Sequence, residues 1–367
     1  MNMPNMNPLL RLHAIGQRIW LDNLSRTLLR EGALQKLITE DRIAGVTSNP
    51  TIFYKAISES PYYREELRAL KVDSRLSAEQ RYETLAVADI RGACDLLQPL
   101  YKSTNGDDGY VSLEVSPALA HDAKATVAAG LRLKAAVGRD NLLIKVPATP
   151  AGLTAIEELV AQGCSVNVTL MFSLRHVRDV AHAYLRGIRR LADTGGELRK
   201  VRSVASVFLS RVDTLIDKRL EAIGGDALAL RGRTAVALAR IAYQDALSYF
   251  SAAAFGELAK RGARPQTMLW ASTGTKNAAY SDVLYVESLI GAHTVNTVPD
   301  GTLAAFRDHG KAEETLTRDI EAARTQFAAL QRLGIDIDID AAGEQLQAEG
   351  LKLFEESFQQ LLALTAG

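Results

Sequence analysis

The sequence predicts an α/β protein: a (β/α)8 barrel with a helical insertion after the second strand and extra helices at its C-terminal end. Three observations predict it. Eight short β-like runs recur along the chain, Ala- and Leu-rich amphipathic segments separate them, and no glycine-rich turn follows the first run. Strict strand–helix alternation implies a parallel sheet. Eight such units favour closure into a barrel, because an open doubly wound sheet would carry a glycine-rich dinucleotide turn after its first strand.

In chain order, the first two runs are residues 18–22 and 43–47. The stretch 58–109 exceeds one helix and predicts two or three, including 78–100, inserted beside the barrel. The third run is 111–115, followed by an amphipathic segment at 118–137. In the fourth, 142–146, Leu142, Leu143 and Ile144 lead into Lys145, and Pro147 stops the strand. Residues 151–161 then read as a helix burying Leu153, Ile156 and Leu159. Runs at 165–169, 201–208, 267–271 and 292–297 complete the set, with helical segments at 176–192, 234–259 and 281–289 between them.

Beyond the barrel, Leu316, Ile320, Ala323, Phe327 and Leu330 recur at helical spacing. After Gly334 a last helix carries Leu346, Phe354, Phe358 and Leu361. Such stripes are packing faces, and the last helix is expected across the barrel or near its mouth. The alternating Ile-Asp run 335–340 lacks the glycine turn and late glutamate of a calcium loop, so it reads as a solvated linker. The whole chain, 1–367, is read as one barrel domain with its insertion at about 58–109 and C-terminal helices at about 312–367.

Composition narrows the function. With 47% hydrophobic and 23% charged residues the chain is ordinary globular material. Lys plus Arg equals Asp plus Glu at 43 each, which gives no electrostatic support for nucleic acid or an anionic membrane as partner. Cys94 and Cys164 read as reduced core thiols. The first twelve residues lack the features of a secretory signal and no apolar run reaches membrane-spanning length, so a cytoplasmic enzyme is the expected class. Association between copies of the chain stays open. His176 and His182, six apart, do not share a helix face in metal-ligand geometry. The segment around Gly274 and Lys276 lacks the preceding glycine of a nucleotide P-loop.

Lys145 is the most informative residue, because an ammonium group is costly at the end of so apolar a strand. The C-terminal edge of a parallel barrel holds active sites, and desolvation there lowers a lysine's pKa toward neutrality. Two readings follow: a lysine that attacks a carbonyl to form a Schiff base, or one paired with a carboxylate at the sheet's rim. Side-chain alternation puts Leu143 with Lys145, and gathers Ser165, Asn167 and Thr169 on one face of the next strand. The same parity pairs Trp20 with Asp22, Thr47 with Asn49, and Ser112 with Glu114. An amine, two carboxylates and several amides or hydroxyls would then converge on one mouth. That is the inventory of Schiff-base chemistry: a neutral lysine, acid/base groups for dehydration, and donors for a polyhydroxylated substrate. Taken singly, Asp22 also reads as a cap for the following helix.

Several motifs in register carry a family resemblance: Ile19-Trp20-Leu21-Asp22-Asn23, the segment from Gly45 to Phe53, Ser112-Leu113-Glu114-Val115-Ser116, Leu143 through Lys145 to Thr149, and Asn167 to Ser173. Together, from about 17 to 297, they resemble the transaldolases, and the insertion and tail look like the larger bacterial branch. The resemblance implies that Lys145 forms the Schiff base, Asp22 is the acid/base for carbon–carbon cleavage, and Glu114 with Thr169 handles a catalytic water. It also implies substrate contacts from Thr47, Asn49, Asn167, Ser206, Phe208, Arg211, Ser272 and Lys276, with Arg211 and Lys276 as phosphate ligands. Sugar phosphates are the implied substrates, and no metal or cofactor is needed because the protonated imine is the electron sink.

The chain departs from the family pattern in two places. Val207-Phe208-Leu209-Ser210-Arg211 lacks the family's proline before the phenylalanine and glycine before the arginine. Lys276 stands where many relatives have arginine, and supplies a point charge in place of a bidentate fork. A related fructose-6-phosphate aldolase would place glutamine at the Glu114 position and tyrosine at the Phe208 position. A non-catalytic sugar-phosphate binder has no use for a desolvated amine, and a pyridoxal-phosphate barrel predicts visible absorbance.

Overall fold

A computed structural model describes residues 7–333 and 338–367. Eight parallel strands close into one barrel in sequence order: β1 Gln17–Leu21, β2 Gly45–Val46, β3 Tyr110–Glu114, β4 Leu142–Pro147, β5 Val166–Met171, β6 Ser203–Phe208, β7 Thr267–Ala271 and β8 Thr294–Val298. Each overlaps one of the eight runs expected from sequence. β2 is the shortest, and Trp20 of β1 lies directly over its Gly45, where an added Cβ would sit 2.6 Å from the indole. No helix among the described residues is long and apolar enough to cross a membrane.

Helices pack around the strands with ends set by local chemistry. Asp122 accepts from Ala125 N and Thr149 from Gly152 N, which starts the helices Ala123–Val137 and Pro150–Ala161. The expected helix 118–137 therefore begins later, after a 3-10 turn at Pro117–Leu119. The expected helix 234–259 is two, Thr234–Tyr249 and Ala252–Lys260, broken at Phe250 and Ser251. Only Leu284–Glu287 of the segment 281–289 is α-helical. Between β2 and β3 lie Pro50–Glu59, Arg64–Val72 and the long helix Ala78–Ser103, which Ser77 and Gln80 start with a reciprocal capping box.

The C-terminal helix Ile339–Thr365 crosses the barrel at the C-terminal ends of its strands. Two glycines let it approach: a Cβ at Gly343 would meet Ser173 Cβ at 2.8 Å, and one at Gly350 would meet Leu170 Cδ2 at 2.9 Å. Between them, buried Gln347 donates to the carbonyls of Ala148 and Leu170, both at 3.1 Å. Asp338 caps this helix through Asp340 N and Ala341 N. The end of the expected 335–340 linker is thus a helix start, while residues 335–337 lie outside the described residues. Cys94 and Cys164 are free and buried.

Candidate active site

The amine of Lys145 lies in the barrel interior with the residue 5% exposed. Its Nζ donates to the carbonyl of Ser48 at 3.2 Å and sits 5.6 Å from the Phe354 ring centroid. Strand register places Glu114 of β3 and Asn167 of β5 on either side of it. Glu114 Oε2 is 3.3 Å from Nζ, yet this buried oxygen makes no aligned hydrogen bond among the described residues. Burial pushes the Glu114 carboxyl above its ordinary pKa, against the pull of the Lys145 charge.

Asp22 follows β1 immediately. Its Oδ1 accepts from Thr47 Oγ1 at 2.7 Å, and Thr47 Oγ1 is also 2.7 Å from Thr297 Oγ1. The cap reading for Asp22 fails, because Ser25 accepts from Leu28 N instead. Asp22 keeps partial access to the cavity, but dense protein around it makes desolvation the largest influence, and its pKa is raised. Lys145 is the main opposing charge, ahead of the Thr47 bond. One amine thus lies near two carboxyls whose charged forms burial disfavours. That arrangement suits proton transfer close to neutral pH.

Asn167 is held at both ends of its amide. Its Oδ1 accepts from Ser206 Oγ at 2.7 Å and its Nδ2 donates to Ser112 Oγ at 2.9 Å. Thr169 Oγ1, by contrast, is buried without a partner among the described residues. Just beyond it β5 bulges, with Leu170 at φ 58° and the register against β6 shifted between Val168 and Met171. Asn49 caps the helix Pro50–Glu59 with its side-chain oxygen, 3.0 Å from Ile52 N, which leaves its NH2 for other contacts.

At the end of β6 the helix Ser210–Ile223 begins, and Arg211 sits in its first turn. Arg211 Nη1 is buried without a hydrogen-bond partner among the described residues, and burial lowers the guanidinium's pKa. Glu349 is the opposing charge near it, and a desolvated arginine in the first turn of a helix suits an anion. Ser210 N donates to the Ser272 carbonyl at 3.1 Å, and the two hydroxyls lie 2.9 Å apart. Ser272 itself adopts φ 52°.

Ten of the twelve residues singled out from sequence line one cavity of about 100 Å³: Asp22, Thr47, Asn49, Lys145, Asn167, Thr169, Ser206, Phe208, Arg211 and Ser272. Glu114 stands behind Lys145, bordering a smaller void with Tyr82 and Glu79. Lys276 is exposed and lines a neighbouring cleft of about 160 Å³ with Ser210 and Asp217. Its charge still reaches Asp22 as a minor stabilising influence on the carboxylate. A larger cavity, about 500 Å³, opens elsewhere in the barrel and contains none of the twelve.

Sequence reasoning missed Thr297 and Phe354, which complete the lining together with Ala271. Thr297 ends the run expected for β8, so the strand-end rule that found Thr169 would have found it. Phe354 reads as one more apolar residue of a packing stripe.

The family model described as "Transaldolase/Fructose-6-phosphate aldolase" matches residues 19–365. The chain belongs to this transaldolase/fructose-6-phosphate aldolase family. A protein named transaldolase from Thiobacillus denitrificans is 53% identical over 350 residues, 95% of this chain and 97% of its own length. Transaldolases so named from Neisseria gonorrhoeae and Frankia alni are 51% and 46% identical, covering 95% and 98% of the chain and 97% of each relative. By homology at this identity the chain is an enzyme of the transaldolase type, a transferase. The family match takes in the C-terminal helix that brings Phe354 to Lys145.

Proposed function

We propose that this family member transfers a dihydroxyacetone unit from a ketose phosphate, such as fructose 6-phosphate or sedoheptulose 7-phosphate, to glyceraldehyde 3-phosphate or erythrose 4-phosphate. The reaction is one of the pentose phosphate pathway, and its covalent carrier is a Schiff base on Lys145. The observation that carries this reading is a buried amine 3.3 Å from one carboxylate oxygen, on a cavity that a second carboxylate lines. A rim lysine in a simple ion pair would have no need of the second acid, or of an unpartnered hydroxyl nearby.

In this reading Glu114 takes the ammonium proton, and neutral Lys145 attacks the ketone. Glu114 then acts with Thr169, whose free Oγ1 is suited to the water that leaves as the imine forms. Asp22 removes the proton from the hydroxyl on the carbon β to the imine; that oxygen becomes the carbonyl of the released aldose phosphate as the bond between the α and β carbons breaks, and the electron pair of that bond passes into the protonated imine. The acceptor aldehyde reverses these steps. Phe354 and the C-terminal helix keep bulk water from the carbanion. Thr47 orients Asp22, and Ser206 orients Asn167, so that Asn167 and the Asn49 NH2 meet substrate hydroxyls in fixed directions. Phe208 forms a wall. Arg211, the helix N-terminus behind it and Ser272 take the phosphate, with Lys276 approaching from its exposed loop.

Borohydride added during incubation with fructose 6-phosphate should leave a reduced three-carbon adduct on Lys145, read by intact mass and peptide mapping. Lys145→Arg should still bind the sugar phosphate and form no adduct. Absence of the adduct in folded wild-type protein rules out the lysine's covalent role. Dependence of turnover on an acceptor aldehyde separates transfer from release of free dihydroxyacetone.

A further inference from the structure

The cavity of about 500 Å³ has no part in that reaction. It is lined by Arg18, Tyr110, Thr267 and Thr294, from the N-terminal ends of β1, β3, β7 and β8, so it opens on the barrel face opposite Lys145. Barrel interiors are normally filled by side chains, and this space falls in the size range of small-molecule sites. Its walls include Tyr243, Phe250 and Met268, and Trp20 stacks on Tyr110 there with ring centroids 6.5 Å apart. Trp20 Nε1 is buried and has no hydrogen-bond partner among the described residues. A buried donor without an acceptor calls for one.

The charged groups of the lining are unequal. Arg18 Nε is 2.8 Å from Asp108 Oδ2, while Arg202 Nη2 and Arg264 Nη1 share Asp107 Oδ1 at 3.0 and 2.8 Å. Three guanidiniums face two carboxylates, which leaves one positive charge over. Nε and Nη1 of Arg202 have no partner among the described residues. We infer that this cavity binds an aromatic monocarboxylate carrying a second acceptor, a hydroxyl or ring nitrogen, on its ring system. The ring packs among the aromatic walls, the second acceptor takes the Trp20 N–H, and the carboxylate meets Arg202. A dianion such as a phosphate ester is disfavoured, because its second charge faces Asp107 and Asp108.

Calorimetric titration of the full chain with 6-hydroxy-2-naphthoate tests this, beside the neutral 6-hydroxy-2-naphthamide and the dianionic 2-naphthyl phosphate. Saturable binding at one site is expected, about tenfold or more weaker for the amide, for the phosphate ester, and for the naphthoate on Arg202→Gln. Ala246→Phe, which fills the cavity, should abolish it, and fructose 6-phosphate should not compete. No saturable binding, indifference to ligand charge and to Arg202→Gln, or displacement by fructose 6-phosphate each overturns the proposal. If Ala246→Phe does not fold, the Arg202→Gln and competition results decide alone. Borohydride trapping on Lys145 is independent of all these readings, so the two sites stand or fall separately.

Discussion

Asp22 shows how a single side chain acquires a role from its surroundings. Alone it is an acid after a strand, but the Thr47 bond aims it and burial raises its pKa beside the Lys145 charge. Asp22→Asn should keep sugar-phosphate binding and lower kcat by roughly 10²–10⁴, as loss of a positioned acid/base does; an unchanged kcat would dismiss it. Arg211→Gln should act on KM instead, raising it about tenfold or more for phosphorylated substrates, since a charged hydrogen bond contributes about 1.5–3 kcal/mol. A dephosphorylated ketose should not register that change. Asp213 offers a pH test outside the cavity. It accepts from Ala235 N and Tyr285 OH, both at 2.8 Å, yet burial pushes its pKa up to about 6 from an ordinary 3.8. Between those values the folded chain holds a proton that the unfolded chain has released. The resulting stabilisation is full at low pH and is lost as pH rises through about 6. Asp213→Asn should remove this slope, so wild type loses about 2–3 kcal/mol relative to the variant between about pH 4 and 7. Parallel urea-midpoint curves across that range would refute it. Lys145 and Glu114 were legible in the sequence because polar groups inside apolar runs need a reason. Ser48 was not, since its contribution is a backbone carbonyl that any residue type could present.

Among elements, the C-terminal helix Ile339–Thr365 is where sequence pattern and function part company. Its apolar stripe predicted packing, and Phe358 and Leu361 are indeed buried. Phe354 sits in the same stripe but faces the amine of Lys145. Periodicity shows that a face is covered, without showing whether a core or a cavity lies beneath it. Gly350 sets the distance between this helix and the site, because its missing Cβ would lie 2.9 Å from Leu170 Cδ2 and 3.3 Å from Arg211 Nη1. Gly350→Val should lift the helix or displace Arg211, raising KM for sugar phosphates while costing stability by about 1–3 kcal/mol through overpacking. Retained KM and melting temperature would show that the approach is not tight. The helix boundaries misjudged from sequence have a common cause. The break at Phe250 and the shortening of 281–289 fall where neither proline nor glycine stands, and local propensity there does not mark where a helix stops.

Across the whole molecule, the insertion after β2 holds together the barrel and the helix that covers the site. Arg26 Nε and Tyr63 OH both donate to buried Asp89, at 2.8 and 2.7 Å, which joins the helix Arg26–Arg30 to Ala78–Ser103. Farther along, Tyr82 packs edge-on between Phe53 and Phe358, and Arg81 donates to the Thr365 carbonyl at 3.2 Å. Asp89→Ala should leave buried Arg26 with the partly exposed Glu66 in place of a buried partner and strand the Tyr63 hydroxyl, lowering stability by about 2–3 kcal/mol; a melting temperature like wild type would contradict this. Arg26→Met combined with Asp89→Leu should recover part of the loss. The sequence by itself determined the eight-strand alternation, hence the closed barrel, and the order of Asp22, Glu114, Lys145, Asn167 and Thr169 along strand ends. Both follow from local rules, the two-residue period of a strand and the burial of apolar runs. Tertiary structure alone decided that Phe354 closes the cavity, that Lys276 stays outside it, that Ser206 holds Asn167, and that a second cavity opens at the opposite end. Those depend on distances between residues far apart in the chain, which periodicity does not encode.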